Sequence, residues 1–424
     1  MAMPNKKTLT LVEGRKVNYR TINDMKTQTA EAGWGYRVLE EIPKEDVAKC
    51  NFREYFSDYV MWRDLNDNNS PAEVMRILKW IDLNKDIISI NTHLVGGRAF
   101  SSDKYYQHGL YGMDPVLKKN TPMVYPVKNV NEVIDLVKKG LLNYPLVLKE
   151  RLGTTGKGIV LVPDEDYLRN HVKGVWRMIM AEPYIVGDYD WRVFVVGGVA
   201  VGAMRKFVDK IDDPGNFVAK SAGKDKVAED DPEILAEISK IACKMAAVCG
   251  LEYSGCDIIR DKYTKKYYVL ETNNSAGWQN RFNDITGLNM GQILLSWFDD
   301  MSVLKEKGFY EGVKTYFENR TKYLSKENRD RCEKILNWKE KPKQLKDDNM
   351  VACLQNKYLA IVNGENVKSA KDLLKIVEST PLCWAGNFIG SNVHGEDGVF
   401  EDGCIPTAYY LAIREKYDKI AGVN

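Results

Sequence analysis

The first hundred residues alternate between strand-like and helix-like patterning. Thr8 to Val12 and Tyr36 to Ile42 are short β-rich runs, and Ile22 to Ala32 between them is spaced for a helix. Ser70-Pro71-Ala72-Glu73 has the form of a capping box with proline at the first helical position. Val74, Ile77, Leu78 and Ile81 follow at helical spacing, carrying the helix to Asn84. Ile87 to Asn91 then reads as a strand. This alternation predicts a small, mainly parallel α/β domain.

The pattern then changes. A helix is expected from Lys104 within Phe100 to Lys119, and another from Val130 to Lys139, capped by Asn129 and stopped by Gly140. Strand Pro145 to Glu150 enters a glycine-rich turn holding Gly153, Gly156 and Gly158, and strand Ile159 to Val162 leaves it. Met178 to Ile185 is a further strand. Asp190 to Val196 and Val199 to Lys206 are expected to pair as a hairpin about Gly197-Gly198. After a polar loop from Pro214 to Lys226, an amphipathic helix runs from Pro232 to Val248, its apolar stripe read as core. Two apolar runs between Tyr253 and Gly277, joined by the polar connector Asp261 to Lys266, should form an antiparallel pair. Helices are expected at Val303 to Glu318 and Lys326 to Trp338. A charged linker from Lys339 to Lys346 and an α+β tail from Val351 to Asn424 follow. The expected division is an N-terminal α/β domain at 1–128, a second domain at 129–300, a helical linker region at 301–348 and an accessory module at 349–424. The tail would select a substrate or mediate self-association.

A chain of 424 residues is too long for one simple core, in keeping with that division. The net charge of +2 gives no nucleic-acid footprint, although a local basic patch would not show in it. Eight cysteines occur without a CxxC pair or zinc-type spacing, and they read as reduced thiols. The N-terminal stretch lacks an apolar core of signal type and no apolar run approaches membrane-spanning length, so a cytoplasmic protein is expected.

The candidate chemistry lies in the hairpin. Asp257 in its first run, with Glu271 and Asn273 two apart in its second, would bring three hard oxygen donors to one end of a sheet. That set suits Mg²⁺, which is usually held by one or two carboxylates plus substrate phosphates. Taken alone, the same residues are ordinary solvated hairpin positions. The glycine-rich turn can bring backbone N–H groups close to a phosphate. It lacks Walker A spacing and is followed by a strand, and a tight hairpin would use the same glycines. Arg192 and Arg205, on the two strands of the preceding hairpin, could grip phosphate or carboxylate, though ion pairing explains most strand arginines. The histidines at 93, 108, 171 and 394 read as surface or packing residues, and His93, which follows the strand Ile87 to Asn91, is kept as a candidate for a substrate cleft.

Taken in order, the pieces from about Ile90 to Gly291 resemble the ATP-grasp superfamily, and most closely its RimK-like and glutathione-synthetase-like carboxylate-amine ligases. The most specific match runs from Leu251-Glu-Tyr-Ser-Gly-Cys-Asp257 to Leu270-Glu271-Thr272-Asn273-Asn274-Ser275-Ala276-Gly277, with Ala276 standing where the family often has proline. The resemblance implies an ATP-grasp fold, with ATP between two antiparallel sheets and two Mg²⁺ ions held by Asp257, Glu271 and Asn273. Lys104, Lys149 and the turn with Gly153, Gly156 and Gly158 would contact nucleotide, and Glu182, Tyr184 and Ile185 would form the adenine and hinge segment. Asp190, Arg192 and Arg205 match the family's DxR pair and following arginine, with Arg205 and Arg192 the implied catalytic cations. Asn216 and Lys220 fall in a loosely aligned loop. Arg281 is a candidate carboxylate receptor or a surface residue. The implied reaction is phosphoryl transfer to a carboxylate, giving an acylphosphate, then attack by an amine. Protein groups would position reactants and offset charge. An ATP-grasp kinase and a non-catalytic ATP-binding module are the alternatives. The implied partners are ATP, a carboxylate and an amine acceptor, with a homo-oligomer possible.

Overall fold

The computed structural model describes residues 6–14, 19–64, 69–84, 86–92, 103–114, 116–152, 158–172, 179–197, 199–207 and 226–307. Strands β1 (Thr8–Glu13), β2 (Gly35–Leu39), β3 (Tyr59–Asp64) and β4 (Ile88–Ile90) form one sheet in the order β2-β1-β3-β4. Each neighbouring pair is parallel. Helices α1 (Tyr19–Glu31), α2 (Lys44–Lys49) and α3 (Pro71–Leu83) are interleaved with these strands. The capping box at α3 forms as expected: Ser70 Oγ accepts the Glu73 N–H and the Glu73 carboxylate accepts the Ser70 N–H. The sequence pattern passed over β3, although its Tyr-Val-Met-Trp run is β-rich. It is a central strand buried on both faces, so it shows no polar alternation.

A second sheet is antiparallel, in the order β5-β8-β6-β7. It comprises β5 (Tyr125–Val127), β6 (Leu146–Glu150), β7 (Ile159–Val162) and β8 (Ile179–Pro183). Helices α5 (Val130–Lys138) and α6 (Glu165–His171) contribute Val133, Ile134 and Leu168 to its core. The third sheet, also antiparallel, has the order β11-β10-β9-β12-β13. Its strands are β9 (Tyr189–Val196), β10 (Val199–Phe207), β11 (Lys226–Ala228), β12 (Tyr253–Arg260) and β13 (Tyr267–Asn273). Helix α7 (Pro232–Val248) fills one face of that sheet through Ile238, Ile241, Ala242 and Met245, which pack with Trp191, Val193, Ala203 and Cys256.

Helix α4 (Lys104–Met113) closes the outer edge of β13. Gln107 donates to the Thr272 carbonyl at 2.8 Å and accepts the Thr272 N–H at 3.0 Å, and His108 Nε2 lies 3.0 Å from the Leu270 carbonyl. An edge strand that would otherwise expose its ladder groups is thereby satisfied. Helices α8 (Gln279–Thr286) and α9 (Met290–Lys307) end the described chain. Residues 303–307, expected to begin a helix at Val303, are the last turns of α9, whose buried Ile293, Leu294, Trp297, Phe298 and Met301 keep helical spacing. The remainder of that expected helix, the helix at 326–338, the linker at 339–346 and the tail from 351 lie outside the described residues.

The parallel sheet is locked to the third sheet through polar side chains. Buried Arg63 of β3 donates from Nε to Glu13 at 2.7 Å, from Nη1 to the Ala276 carbonyl at 3.1 Å and from Nη2 to the Ser275 carbonyl at 2.9 Å. Asn91, just past β4, donates to the Tyr253 and Asn274 carbonyls at 2.7 and 2.8 Å. The turn leaving β13 is therefore fixed by two residues far away in sequence.

Candidate active site

The candidate acids stand on adjacent strands. On β12, Gly255 and Asp257 face Asn273 and Glu271 of β13, and on its other side Asp257 faces Arg192 of β9. Directly opposed residues share a face of the sheet, as do alternate residues of one strand. Asp190, Arg192, Lys206, Asp257, Glu271 and Asn273 consequently project from one face, opposite the face that α7 fills.

This face is densely paired. Arg192 forks onto Asp257, with Nε 2.8 Å from Oδ1 and Nη2 2.7 Å from Oδ2. Lys206 Nζ lies 3.1 Å from Asp257 Oδ2 and 3.1 Å from Asp190 Oδ2. Asn273 Nδ2 reaches Glu271 Oε1 at 3.2 Å and Asp257 Oδ2 at 3.5 Å, while Lys104 Nζ lies 3.3 Å from Glu271 Oε2. Burial pushes the Asp257 carboxyl up, but Arg192 and Lys206 outweigh it and hold the group down at about 2. For Asp190, burial wins over Lys206 and its carboxyl is raised.

One further lysine, Lys149, lies in the second sheet. Lys149 of β6 pairs with Glu182 of β8 at 2.7 Å, and both are buried. Glu182 Oε2 is buried and takes no hydrogen bond among the described residues. Asp103 caps α4 through the Tyr105 and Tyr106 N–H groups and accepts the Arg151 fork, and the Lys104 N–H bonds the Arg151 carbonyl at 3.0 Å. The start of α4 and the end of β6 are thus clamped, which brings Lys104 and Lys149 to one region. His108, one turn beyond Lys104, is driven down to about 4 by burial and then by the charge of Lys149.

Tyr184 and Ile185 are half-buried in the segment between β8 and β9. The Lys262 N–H holds that segment to the β12–β13 turn through the Val186 carbonyl at 2.7 Å. Gly158, at φ +74°, lies where a Cβ would meet Glu150 Cδ at 2.8 Å, so the turn after β6 requires glycine there. Gly153, Gly156, Asn216, Lys220, His93 and His394 lie outside the described residues, as does the side chain of Arg281. His171 stacks on Tyr167 at 4.7 Å in α6 and joins no site group.

Arg205 does not join the groups on this face. A hairpin turning at Gly197-Gly198 with unbroken pairing would set Arg205 opposite Asp190. A bulge between Ala200 and Gly202 advances the register by one, so that Lys206 faces Asp190 and Arg205 faces Trp191. Arg205 therefore projects from the α7 face. There it stacks 5.7 Å from the Tyr189 ring and lies 3.4 Å from Glu229 Oε2. Lys206 is the site cation that the sequence reading missed. The sequence signals for it are the neighbouring pair of basic residues and Gly202, since an isolated glycine inside a strand pattern suggests a bulge.

The residues fit a divalent cation and a nucleotide. Asn273 donates to both Glu271 and Asp257, so two carboxylates and an amide converge on one point. Among the described residues no group of three or more His, Cys, Asp or Glu gathers as a metal site. Two carboxylates and an amide are a partial oxygen set, of the kind Mg²⁺ completes with phosphate and water. The orphaned Glu182 oxygen is suited to a hydrogen-bond donor, as a base amino group would supply, and the Lys149 and Lys104 ammonium groups are suited to anionic oxygens.

Two antiparallel sheets, one with a paired acid–base face, and a parallel sheet before them define an ATP-grasp fold. A D-alanine--D-alanine ligase from Bacillus anthracis shares it: the likeness covers 72% of this chain and 100% of that one, at 17% identity and a TM-score of 0.51. The RimK-like ATP-grasp domain model matches residues 101–298 of this chain. A probable alpha-L-glutamate ligase 2 of Hahella chejuensis (strain KCTC 2396) is 29% identical over 198 residues, covering 45% of this chain and 60% of that protein. A probable alpha-L-glutamate ligase of Cellvibrio japonicus (strain Ueda107) is 28% identical over 187 residues, covering 42% and 57%. The chain thus spans less than two thirds of these relatives. Among the described residues no helix is long and apolar enough to cross a membrane.

Proposed function

We propose that this protein is an ADP-forming carboxylate-amine ligase, which activates a carboxylate with ATP and joins it to an amine as an amide. The observation that carries the proposal is the polar sheet face, where Asp257, Glu271 and Asn273 stand beside Arg192 and Lys206 with Lys104 reaching in from α4. Such a face has no nucleophile of its own and needs none, because the substrate carboxylate attacks phosphorus and the amine attacks carbon.

A Mg²⁺ ion held by Asp257, Glu271 and Asn273 would neutralise phosphate oxygens and keep the terminal phosphate in line. Lys149 and Lys104 would orient the nucleotide, and Arg192 would meet charge that builds up as the phosphoryl group moves. The buried pairing of Lys149 with Glu182 fixes one ammonium before a ligand arrives. The names of the relatives make L-glutamate the first amino acid to offer, with the amine or carboxylate of an amino acid, peptide or larger polymer as its partner.

The test is ADP release with ATP and Mg²⁺ against amino acids and peptides, with products weighed by mass spectrometry. A product one water lighter than two panel members together is expected. A phosphorylated panel member would replace the ligase by a kinase, and absence of nucleotide binding would overturn both.

A further inference from the structure

The polar face is electrically closed. Asp190, Asp257 and Glu271 contact Lys206, Arg192 and Lys104, so three carboxylates meet three cations in one network. A bare divalent cation arriving there finds both Asp257 oxygens engaged and two positive groups at contact distance. Its attraction to the acids is offset by repulsion from their partners, and burial of Asp257 and Lys206 leaves that repulsion poorly screened. A nucleotide alters the balance, since its phosphates bring negative charge for which Arg192 and Lys104 can exchange partners.

Lys206 has a second acid already in contact. Its ammonium is 3.1 Å from Asp257 and 3.1 Å from Asp190, so it can give up the first without being left as an unpaired buried charge. The bulge in β10 that places Lys206 here also sets it directly opposite Asp190.

Building on the ligase reading of the same face, we infer that Lys206 is an electrostatic gate. It closes Asp257 to free divalent cations and retreats to Asp190 when a cation arrives together with nucleotide. The consequence is obligatory pairing: the metal site takes its ion well only with the polyphosphate, so the protein does not load metal that cannot serve the reaction. Lys206 is a positioning residue on this account, acting through Asp257.

The experiment is Mn²⁺ titration of the full chain followed by the electron paramagnetic resonance signal of the free ion, with and without ADP. ADP binding is measured separately by calorimetry. Wild-type protein should bind Mn²⁺ at least about tenfold more tightly with ADP than without. Lys206→Met leaves a net negative face and should bind Mn²⁺ alone at least about tenfold more tightly than wild type. Lys206→Gln, which keeps a polar group, should do the same and guards against a packing artefact. Asp190→Asn removes the fallback acid and should weaken the ADP-dependent binding of Mn²⁺ while ADP still binds. Equal Mn²⁺ affinity with and without ADP in the wild type, or Lys206 variants no tighter for Mn²⁺ alone, overturns the gate and leaves the ligase reading standing. Absence of any ADP binding overturns both.

Discussion

Asp257 and Glu271 share one face and one proposed metal, yet replacing them should have different effects on the fold. Asp257 is buried, forked by Arg192 at 2.7 and 2.8 Å and touched by Lys206 at 3.1 Å. Asp257→Asn leaves the Arg192 guanidinium without its forked counter-charge and Lys206 with Asp190 alone, and breaking a buried pair in this way costs about 3–5 kcal/mol. The Glu271 side chain is 27% exposed, and its ion pair with Lys104 is a looser 3.3 Å. Partly open pairs contribute only about 0–1 kcal/mol, and glutamine retains an oxygen to accept from Asn273. The two variants should therefore differ in stability by about 3 kcal/mol. At a urea slope of about 2–3 kcal/mol per molar, their unfolding midpoints would stand about 1–1.5 M apart. Both should lose ATP turnover by about a hundredfold or more, the scale seen when a group that stabilises developing charge is deleted. Parallel urea denaturation and ADP-release assays give both quantities. If Glu271→Gln unfolds as easily as Asp257→Asn, the assignment of the pairing is wrong. If it keeps full turnover, the metal assignment is wrong.

His108 is neutral when folded, at about 4, whereas an unfolded imidazole titrates near 6.5. Unfolding then takes up a proton between those values, so stability should fall by up to about 3 kcal/mol as pH drops from 6.5 to 4. His108→Gln should flatten that part of a pH–stability curve. A Cβ on Gly255 would lie 2.7 Å from Ala276 Cβ, so Gly255→Ala should destabilise by about 1–3 kcal/mol in thermal or urea unfolding. Ala276→Gly in the same chain should return most of the loss. Arg205→Gln should leave ADP release within about threefold of wild type, because Arg205 projects from the far face; a hundredfold loss would restore it to the reacting groups.

The local sequence carried the elements whose signals are local. Proline and aspartate open α7 and glycine follows its end, and the helix runs from Pro232 to Val248 as its spacing predicts. The β12–β13 pairing follows from two apolar runs and a polar connector, and with it the opposition of Asp257 to Glu271. Elements whose residues answer to neighbours rather than to their own period were missed. Besides the buried β3, these include the three-residue strands β5 and β11, too short to display alternation, the short helices α2 and α6, the first turns of α9, and α8, whose apolar stripe is thin. The roles of Arg63 and Asn91 could not be read from their surroundings in the chain, since each bonds carbonyls more than 150 residues away.

The sequence by itself determined that this chain carries a glycine-rich turn between strands, then a basic hairpin, then an acid–amide hairpin. Those are enough to predict the ATP-grasp fold and most of its polar face. Only the tertiary structure decided which cation stands on that face. One extra residue in β10 reverses the facing of every side chain beyond it, and only the pairing with β9 shows where that extra residue falls. That single step exchanges Arg205 for Lys206 and brings the lysine between two acids.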